Sequence, residues 1–186
     1  MSQHPLPWGT ATQAVGHCIV RSSVMLARGE VHLPREWVGR RVAFGDGSTG
    51  RVYRETAVDA RPVDTCVLDV CFRLRGVRGA GHALFERESL LNTPLFVGFP
   101  GFATKLWVAH DDNGTYRGLY EWDGAARADA YARALWRVLQ LVSVPDSIHF
   151  QVLPGIRREE VFARVGGPLG PAAGSEGEWW EVVGVE

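Results

Sequence analysis

The sequence predicts an α+β fold, because segments with the periodicity of strands and of helices alternate along its central part. Strand-like alternation occurs at 65–75, and an Asn-Gly turn separates two aromatic strand segments at 102–110 and 115–122. An amphipathic helical segment follows Asp123. Apolar residues at every second position are typical of strands with one buried face, whereas spacings of three and four are typical of helices. Both periods within one stretch indicate a mixed domain.

Composition and charge narrow the class of protein. The chain has 186 residues, enough for one domain with additions. Its 20 Lys and Arg nearly cancel its 21 Asp and Glu, so no net field attracts nucleic acid or an anionic membrane. No apolar run is long enough to span a bilayer, and the first residues lack the basic start and apolar region of a secretion signal. We therefore expect a soluble cytoplasmic protein without nucleic-acid or membrane partners.

The first third of the chain has weaker patterns. Residues 1–16 are polar, contain Pro and Gly and have no period, so we expect a flexible lead. Residues 17–62 are expected to form an N-terminal β extension. Within it, segments 40–44 and 51–55 flank a turn rich in Gly and Asp, which predicts a β-hairpin.

The main domain is predicted at 63–156, and it begins with a strand and a helix. One face of the strand 65–75 carries Leu68, Val70, Phe72 and Leu74, and the other carries Asp69, Cys71 and Arg73. A Gly-rich turn leads into 82–92, where apolar residues recur at helical spacing. Pro94 is expected to end this helix.

A hairpin, a helix and a strand complete the main domain. Asn113-Gly114 between two alternating segments is typical of a tight hairpin turn. Asp123 is the expected N-cap of the next helix, which Pro145 closes. Its apolar stripe consists of Ala128, Tyr131, Ala132, Leu135, Val138, Leu139 and Val142. A strand at 147–153 completes the order strand, helix, strand, strand, helix, strand, which is the order of a ferredoxin-like βαββαβ domain.

The C-terminal segment 157–186 contains a short charged stretch that can be helical, a Gly- and Pro-rich linker at 166–177, and the pair Trp179-Trp180. Two large aromatic residues near a chain end are typical of a tail that packs onto a surface. We expect this tail to dock onto the body of its own chain or onto a second subunit.

Four separated motifs resemble those of the YdhR-type monooxygenase-like family. They are Phe99-Pro100-Gly101-Phe102, Lys105-Leu106-Trp107, Gly118-Leu119-Tyr120 and Ala128-Asp129-Ala130-Tyr131. The resemblance covers about 65–155 and leaves out the first 60 residues and the Trp-Trp tail. This family belongs to the dimeric α/β-barrel superfamily, together with antibiotic-biosynthesis monooxygenases and small polyketide cyclases. The resemblance implies a homodimer of two facing four-stranded sheets, with a pocket between sheet and helices in each subunit.

Pairing the two central strands through the Asn-Gly turn allows two registers. With Asn113 and Gly114 in the centre of the turn, Trp107 lies opposite Tyr120; with Asp112 and Asn113 in the centre, the register shifts by two. The faces are the same in both registers. One face carries Lys105, Trp107, Tyr116, Gly118, Tyr120 and Trp122.

This aromatic face has two interpretations. Flat rings, one lysine and a gap at Gly118 suit a planar aromatic or polyketide-like ligand. The same rings can instead fill the packed layer beneath the helices, with the lysine reaching past them. For the first interpretation, the candidate ligand-binding residues are Phe72, Phe85, Trp107, Tyr120 and Trp122.

The candidate catalytic residues are His82, Glu86 and Lys105. His82 and Glu86 lie one helical turn apart, so an imidazole beside a carboxylate can act as a general base on an acidic phenol or enol. The alternative is an exposed ion pair on the helix surface.

We expect no cofactor. The sequence lacks nucleotide-binding glycine motifs and metal-site motifs, and its three cysteines have the spacing of buried thiols rather than of zinc ligands. We therefore expect a cofactor-independent monooxygenase on a hydrophobic aromatic or polyketide-like substrate, with Lys105 stabilising the substrate anion and His82 accepting its proton.

Two alternatives stay open. One is a polyketide cyclase or isomerase that uses the same pocket, and the other is a noncatalytic ligand-binding or dimerisation module. A concave pocket lined by Lys105, Trp107 and Tyr120 would favour the two enzymes. Tight interdigitation of those rings would favour the module.

Overall fold

The structure is a computed structural model that describes residues 4–77, 79–165 and 177–186. The helices are α1 (Trp8–Ala27), α2 (Ala80–Glu88), α3 (Ala125–Val142) and α4 (Arg158–Ala163), and a 3-10 helix, Ser89–Leu95, continues α2. The strands are β1 (Val31–His32), β2 (Arg41–Phe44), β3 (Thr49–Val58), β4 (Thr65–Arg73), β5 (Phe102–Val108), β6 (Thr115–Asp123), β7 (His149–Pro154) and β8 (Val182–Val185). The predicted α+β class is confirmed.

One curled antiparallel sheet organises the described part of the chain. Seven of its eight strands follow the order β7-β4-β6-β5-β3-β2-β8, and the eighth, β1, pairs with the end of β3. The first four in this order, β7-β4-β6-β5, come from the segment with the predicted order of strands and helices. Helices α2 and α3 therefore connect strands that are consecutive in the sequence but not adjacent in the sheet, and both helices lie over the sheet.

The two predicted hairpins are present. Strands β2 and β3 pair across the turn at 45–48, and β5 pairs with β6. In the second hairpin Lys105 lies opposite Tyr120 and Trp107 opposite Gly118, which is the register with Asp112 and Asn113 in the centre of the turn. The Asp111 carboxylate fixes this turn by accepting hydrogen bonds from the backbone N–H groups of residues 113 and 115, both at 2.9 Å.

The expected flexible lead at 1–16 and the β extension from residue 17 need correction, because α1 spans Trp8–Ala27. The apolar periodicity of this helix is weak, and packing against the rest of the fold stabilises it. The buried residues Ala11, Cys18 and Ser22 share one face, and the Ser22 hydroxyl donates to the Pro94 carbonyl at 2.9 Å. The N–H of Gly98 donates back to the same hydroxyl at 2.9 Å, so α1 is fastened to the end of the 3-10 helix.

Two helix boundaries also differ from the predictions. Asp123 is not an N-cap, because its carboxylate accepts from the backbone N–H groups of Val63 and Asp64, both at 2.9 Å. It thereby fastens the loop before β4 to the end of β6. Pro94 does not end the helix that begins at Ala80, because the chain tightens into the 3-10 helix and includes it.

The C-terminal tail docks onto the body of its own chain. Strand β8 pairs with β2, and the Trp179 carbonyl accepts a hydrogen bond from Arg117 at 2.7 Å. The predicted helix at 157–164 is confirmed as α4. Of the predicted linker, residues 166–176 lie outside the described residues.

The sheet has an apolar layer on each face. The face toward α1 and α3 packs the larger core, which includes Leu68, Trp122 and Phe150. On the opposite face, β5 and β6 are covered by the chain's own α4, β2 and β8. That second cluster consists of Val42, Phe44, Val52, Leu106, Val108, Leu119, Phe162 and Val182. None of the helices in the described part of the chain has the length and apolar character that a membrane crossing requires.

A buried ion pair connects α4 to β3. Arg158 donates to the Glu55 carboxylate at 2.9 Å, and the two side chains are 7% and 4% exposed. Arg158 also donates to the Thr104 hydroxyl at 3.0 Å. Removing one partner of such a pair leaves an uncompensated charge in a poorly solvated place, which costs more than the pair itself contributes.

We expect Arg158→Met to lower the free energy of unfolding by about 3 to 5 kcal/mol in urea denaturation, because the buried Glu55 carboxyl group loses its partner. The double variant with Glu55→Met should recover much of that loss. Arg28→Met, in the exposed Arg28–Glu30 pair, is the matched control and should change stability by less than about 0.5 kcal/mol. An Arg158→Met protein as stable as the control would contradict this role of the pair.

Candidate functional site

A cavity of about 660 Å³ lies between the helix face of the sheet and the layer formed by α2, the 3-10 helix and α3. We call it the Lys105 cavity. Its base on the sheet is formed by Phe72, Lys105, Trp107 and Tyr120. The walls are apolar residues of the helices, and the exposed Arg75, Glu88, Leu91 and Leu141 surround the mouth. Volumes of this size are typical of sites for small organic ligands.

Lys105 is the only lysine of the sequence, and it lies at the base of the cavity. Lys105 is 7% exposed, and its amine is 3.2 Å from the ring centroid of Trp107. The rings of Tyr120 and Phe96 follow at 4.6 and 4.7 Å. Among the described residues, no hydrogen-bond acceptor and no carboxylate pairs with this amine.

The surroundings of Lys105 favour its neutral form. Burial lowers the pKa of the Lys105 ammonium well below its ordinary value of 10.5, and the positive charge of Arg54 adds to the effect. A desolvated cation–π contact is worth about 2 kcal/mol. Withdrawing an unpaired ammonium ion from water costs several kcal/mol, so the rings do not compensate for lost hydration. Desolvation at the base of the cavity therefore favours the neutral amine over the ammonium ion.

Arg54 contacts the Trp107 ring and the 3-10 helix beside the cavity. Its guanidinium is 4.8 Å from the ring centroid of Trp107 and donates to the Ser89 carbonyl at 2.8 Å. It also donates to the Thr93 hydroxyl. These bonds fasten the 3-10 helix to β3. The Trp107 indole N–H donates to the Thr56 hydroxyl at 3.1 Å, which fixes the ring beneath the amine.

Tyr120 and Tyr131 place a hydroxyl pair at the cavity wall. The Tyr131 hydroxyl donates to the Tyr120 hydroxyl at 3.2 Å, and both residues line the cavity. Burial raises the pKa of both phenols, so both stay protonated at neutral pH. The Tyr120 proton is then free to point to another acceptor in the cavity.

The gap expected at Gly118 is filled by the chain itself. A Cβ built on Gly118 would lie 2.7 Å from the Tyr120 ring, because that ring leans along the strand over the glycine. The glycine therefore makes room for Tyr120 rather than for a ligand, and it sets the position of the Tyr120 hydroxyl.

His82 and Glu86 do not face each other as a catalytic pair. The His82 Nδ1 is 2.8 Å from the Tyr116 hydroxyl, and its ring stacks on His110 with centroids 3.7 Å apart. Glu86 instead accepts from Arg51 at 3.4 Å. Desolvation and the neighbouring His110 lower the pKa of His82, against a smaller opposing effect of Glu86. Neither residue lines the Lys105 cavity.

The structure brings together five of the eight candidate site residues. Phe72, Phe85, Lys105, Trp107 and Tyr120 all line the Lys105 cavity. Trp122 shares their face of the sheet but is fully buried beneath Tyr131, with ring centroids 4.7 Å apart.

Several cavity residues were not proposed as site residues from the sequence. Phe96 lies in an irregular segment without a period, so no pattern indicates it. The apolar stripe of α3 does include Tyr131, Leu135, Val138 and Leu139, which form one wall. A stripe predicts which residues are buried, but it does not predict that a void is left between them and the sheet.

Neither a protein-family model nor a curated protein matches this chain. The resemblance to the YdhR-type family therefore stays a prediction from four motifs.

We expect Gly118→Ala to lower the free energy of unfolding by about 1 to 3 kcal/mol, because the new methyl group displaces the buried Tyr120 ring. Gly16→Ala is the control, since a methyl group there meets nothing within 4 Å. In the exposed part of α1 it should raise stability by up to about 1 kcal/mol. Urea denaturation measures both, and equal effects of the two changes would contradict the close contact.

The lowered pKa of Lys105 predicts a pH dependence of stability. Between this pKa and 10.5 the unfolded chain binds a proton that the folded chain does not, so the free energy of unfolding decreases as the pH falls. The slope is about 1.4 kcal/mol per pH unit for one proton. Lys105→Met removes this dependence, so its stability advantage over the parent protein should grow as the pH is lowered from 10.

Urea denaturation at a series of pH values measures that difference. Lys105→Arg is the matched control, because guanidinium keeps its charge throughout the range and should be less stable than Lys105→Met at every pH. A difference between parent and Lys105→Met that does not change with pH would show that Lys105 titrates as it does in water.

Proposed function

We propose that this chain binds a hydrophobic small molecule with an acidic proton, such as a hydroxylated aromatic or polyketide-like compound, and activates it by removing that proton. The observation that carries the proposal is the single lysine of the sequence, buried at the base of an aromatic-lined cavity without a hydrogen-bond partner among the described residues. Ligand sites are commonly apolar with a few convergent polar groups, and this cavity has that composition.

Proton transfer suits the state of the amine. A neutral Lys105 can accept the proton of a phenol or enol. The resulting ammonium ion then forms an ion pair with the ligand anion and donates a hydrogen bond to it. Each charge then compensates for the lost hydration of the other. Lys105 takes both the role of base and that of anion partner, and His82, which does not line the cavity, takes neither.

An oxygenation at this site needs no bound cofactor if the ligand anion reacts with O₂ directly. For a ligand with an acidic CH₂ group, the carbanion adds to O₂ to give a peroxide, which takes a proton back from the Lys105 ammonium. Loss of water from the peroxide leaves a carbonyl group, so one oxygen atom enters the product and the other becomes water. A cofactor-independent monooxygenase is thus the first candidate. This agrees with the resemblance of residues 65–155 to the YdhR-type monooxygenase-like family.

A ferredoxin-like domain is the corresponding proposal for the fold. It is supported by the strand order β7-β4-β6-β5, with α2 and α3 in the two connections. A homodimer is implied by the resemblance alone. The chain's own α4 and β8 pack on the outer face of β5 and β6, which is the face that a facing sheet of a second copy would use.

The second candidate is a cyclase or isomerase, which would use the same amine as an acid and base without oxygen. Incubation with hydroxylated polycyclic aromatics in an oxygen electrode separates the two enzymes. The noncatalytic module is less well supported, because Lys105, Trp107 and Tyr120 line a cavity instead of interdigitating.

Binding of 4-nitrophenol tests the proposed chemistry. In slightly acidic buffer the free phenol is neutral and colourless, whereas proton transfer to Lys105 produces the yellow phenolate in the cavity. We expect the yellow band to grow on titration with the parent protein and to be absent with Lys105→Met. The two proteins should differ because only Lys105 can form an ammonium ion that pairs with the phenolate.

The ether 4-nitroanisole is the matched control ligand because it has the same ring and no acidic proton. It should bind to the parent protein and to Lys105→Met with affinities within about threefold, since its binding depends on the apolar walls. Failure of both compounds to bind would contradict the ligand site. Binding of 4-nitrophenol as the neutral phenol would contradict the role of Lys105 as a base.

A further inference from the structure

A free amine that is buried beside a phenol donor is also equipped for covalent chemistry. Lys105 and Tyr120 lie directly opposite each other on β5 and β6, so their side chains share one face of the sheet. We propose that Lys105 forms an imine with an apolar aldehyde or ketone that occupies the Lys105 cavity. This inference rests on the proposed ligand site and specifies the reactive group of the ligand.

The first requirement is an accessible nucleophile. Lys105 contributes to the lining of the cavity, so a ligand in the cavity can meet its amine. The amine is not engaged by an acceptor or a carboxylate among the described residues. Lysines that form imines are typically desolvated among apolar groups or close to another cation. Arg54, whose guanidinium also contacts the Trp107 ring, supplies that second positive charge.

The second requirement is a group that gives and takes protons beside the amine. The amine is 4.6 Å from the ring centroid of Tyr120, whose hydroxyl already accepts from Tyr131. The Tyr120 O–H can therefore donate to the oxygen of a bound carbonyl, which makes its carbon more electrophilic. Gly118 is necessary for this geometry, because a side chain there would push the Tyr120 ring away.

The reaction balances with the ligand and these two residues alone. The Lys105 nitrogen bonds to the carbonyl carbon, and one amine proton moves to the oxygen, giving a carbinolamine. Tyr120 then protonates the departing hydroxyl, the C–O bond breaks and water leaves. The remaining N–H proton passes back to the Tyr120 oxygen, so the imine is neutral and the phenol is restored. No oxidant or reductant is involved.

The cavity also restricts the body of the ligand. The surroundings of the amine are the rings of Phe96, Trp107 and Tyr120, whereas the charged Arg75 and Glu88 are exposed at the mouth. A carboxylate next to the carbonyl group would be desolvated without a partner at the base. The ligand is therefore an uncharged aromatic or long-chain carbonyl compound rather than a keto acid.

Reductive trapping tests the imine. The full chain is incubated with 2-naphthaldehyde and cyanoborohydride, and the adduct is mapped by mass spectrometry of proteolytic peptides. Because the sequence has one lysine, the chain's α-amino group is the only other primary amine and serves as an internal reference. We expect Lys105 to be labelled at least tenfold faster than the α-amino group at neutral pH.

Two variants distinguish a reactive lysine from one that is merely accessible. Tyr120→Phe keeps the ring and should slow trapping at Lys105 on the order of 100-fold, as expected for loss of a general acid. Val138→Phe narrows the cavity from α3 and should reduce trapping of 2-naphthaldehyde more than that of acetaldehyde. Unchanged rates in both variants would overturn the inference.

Binding of 2-methylnaphthalene, measured by its fluorescence, separates this inference from the ligand site itself. If it binds while Lys105 is not trapped by the aldehyde, the imine is refuted and the ligand site stands. If neither the hydrocarbon nor the aldehyde is bound, both proposals fail. Labelling of Lys105 that is no faster than labelling of the α-amino group at neutral pH would likewise refute the imine.

Discussion

The desolvation of one amine is the constraint on which the candidate site depends. Lys105 is the single lysine of the sequence. It lines the cavity between the sheet and the helices. A lysine can give up its charge in an apolar place, whereas an arginine cannot, so the residue type matters at this position. The rings of Trp107, Tyr120 and Phe96 surround the amine, and none of them makes a hydrogen bond to it.

Strand β3 connects this site to the opposite face of the sheet. Its neighbours Arg54 and Glu55 point to opposite sides, as successive residues of a strand do. Arg54 fastens the 3-10 helix over the cavity, and Glu55 pairs with Arg158 of α4. Strand β2, helix α4 and strand β8 cover the outer face of β5 and β6, so the sheet is packed on that side while the helix side keeps a void. A rigid sheet beneath a partly open helix layer is a suitable scaffold for a ligand site.

The parts predicted well from the sequence are those in which one local pattern determines the structure. Alternation and the Asn-Gly turn placed β4, β5 and β6, and the choice between two registers required the Asp111 hydrogen bonds. Helix α1 was missed because its stability comes from contacts with Pro94 and Gly98, distant in sequence. The helical spacing of His82 and Glu86 likewise could not predict their partners, Tyr116 and Arg51, because these lie on other elements.

The most direct test of the account is the pKa of Lys105 in the folded protein. Labelling with lysine that carries ¹³C at the ε position gives a single lysine resonance, because the sequence has one lysine. Its chemical shift can be followed by NMR as the pH is changed. A midpoint well below 10.5, with the random-coil midpoint restored on unfolding in urea, is the predicted result. A midpoint near 10.5 in the folded protein would contradict a neutral, desolvated amine and the chemistry proposed from it.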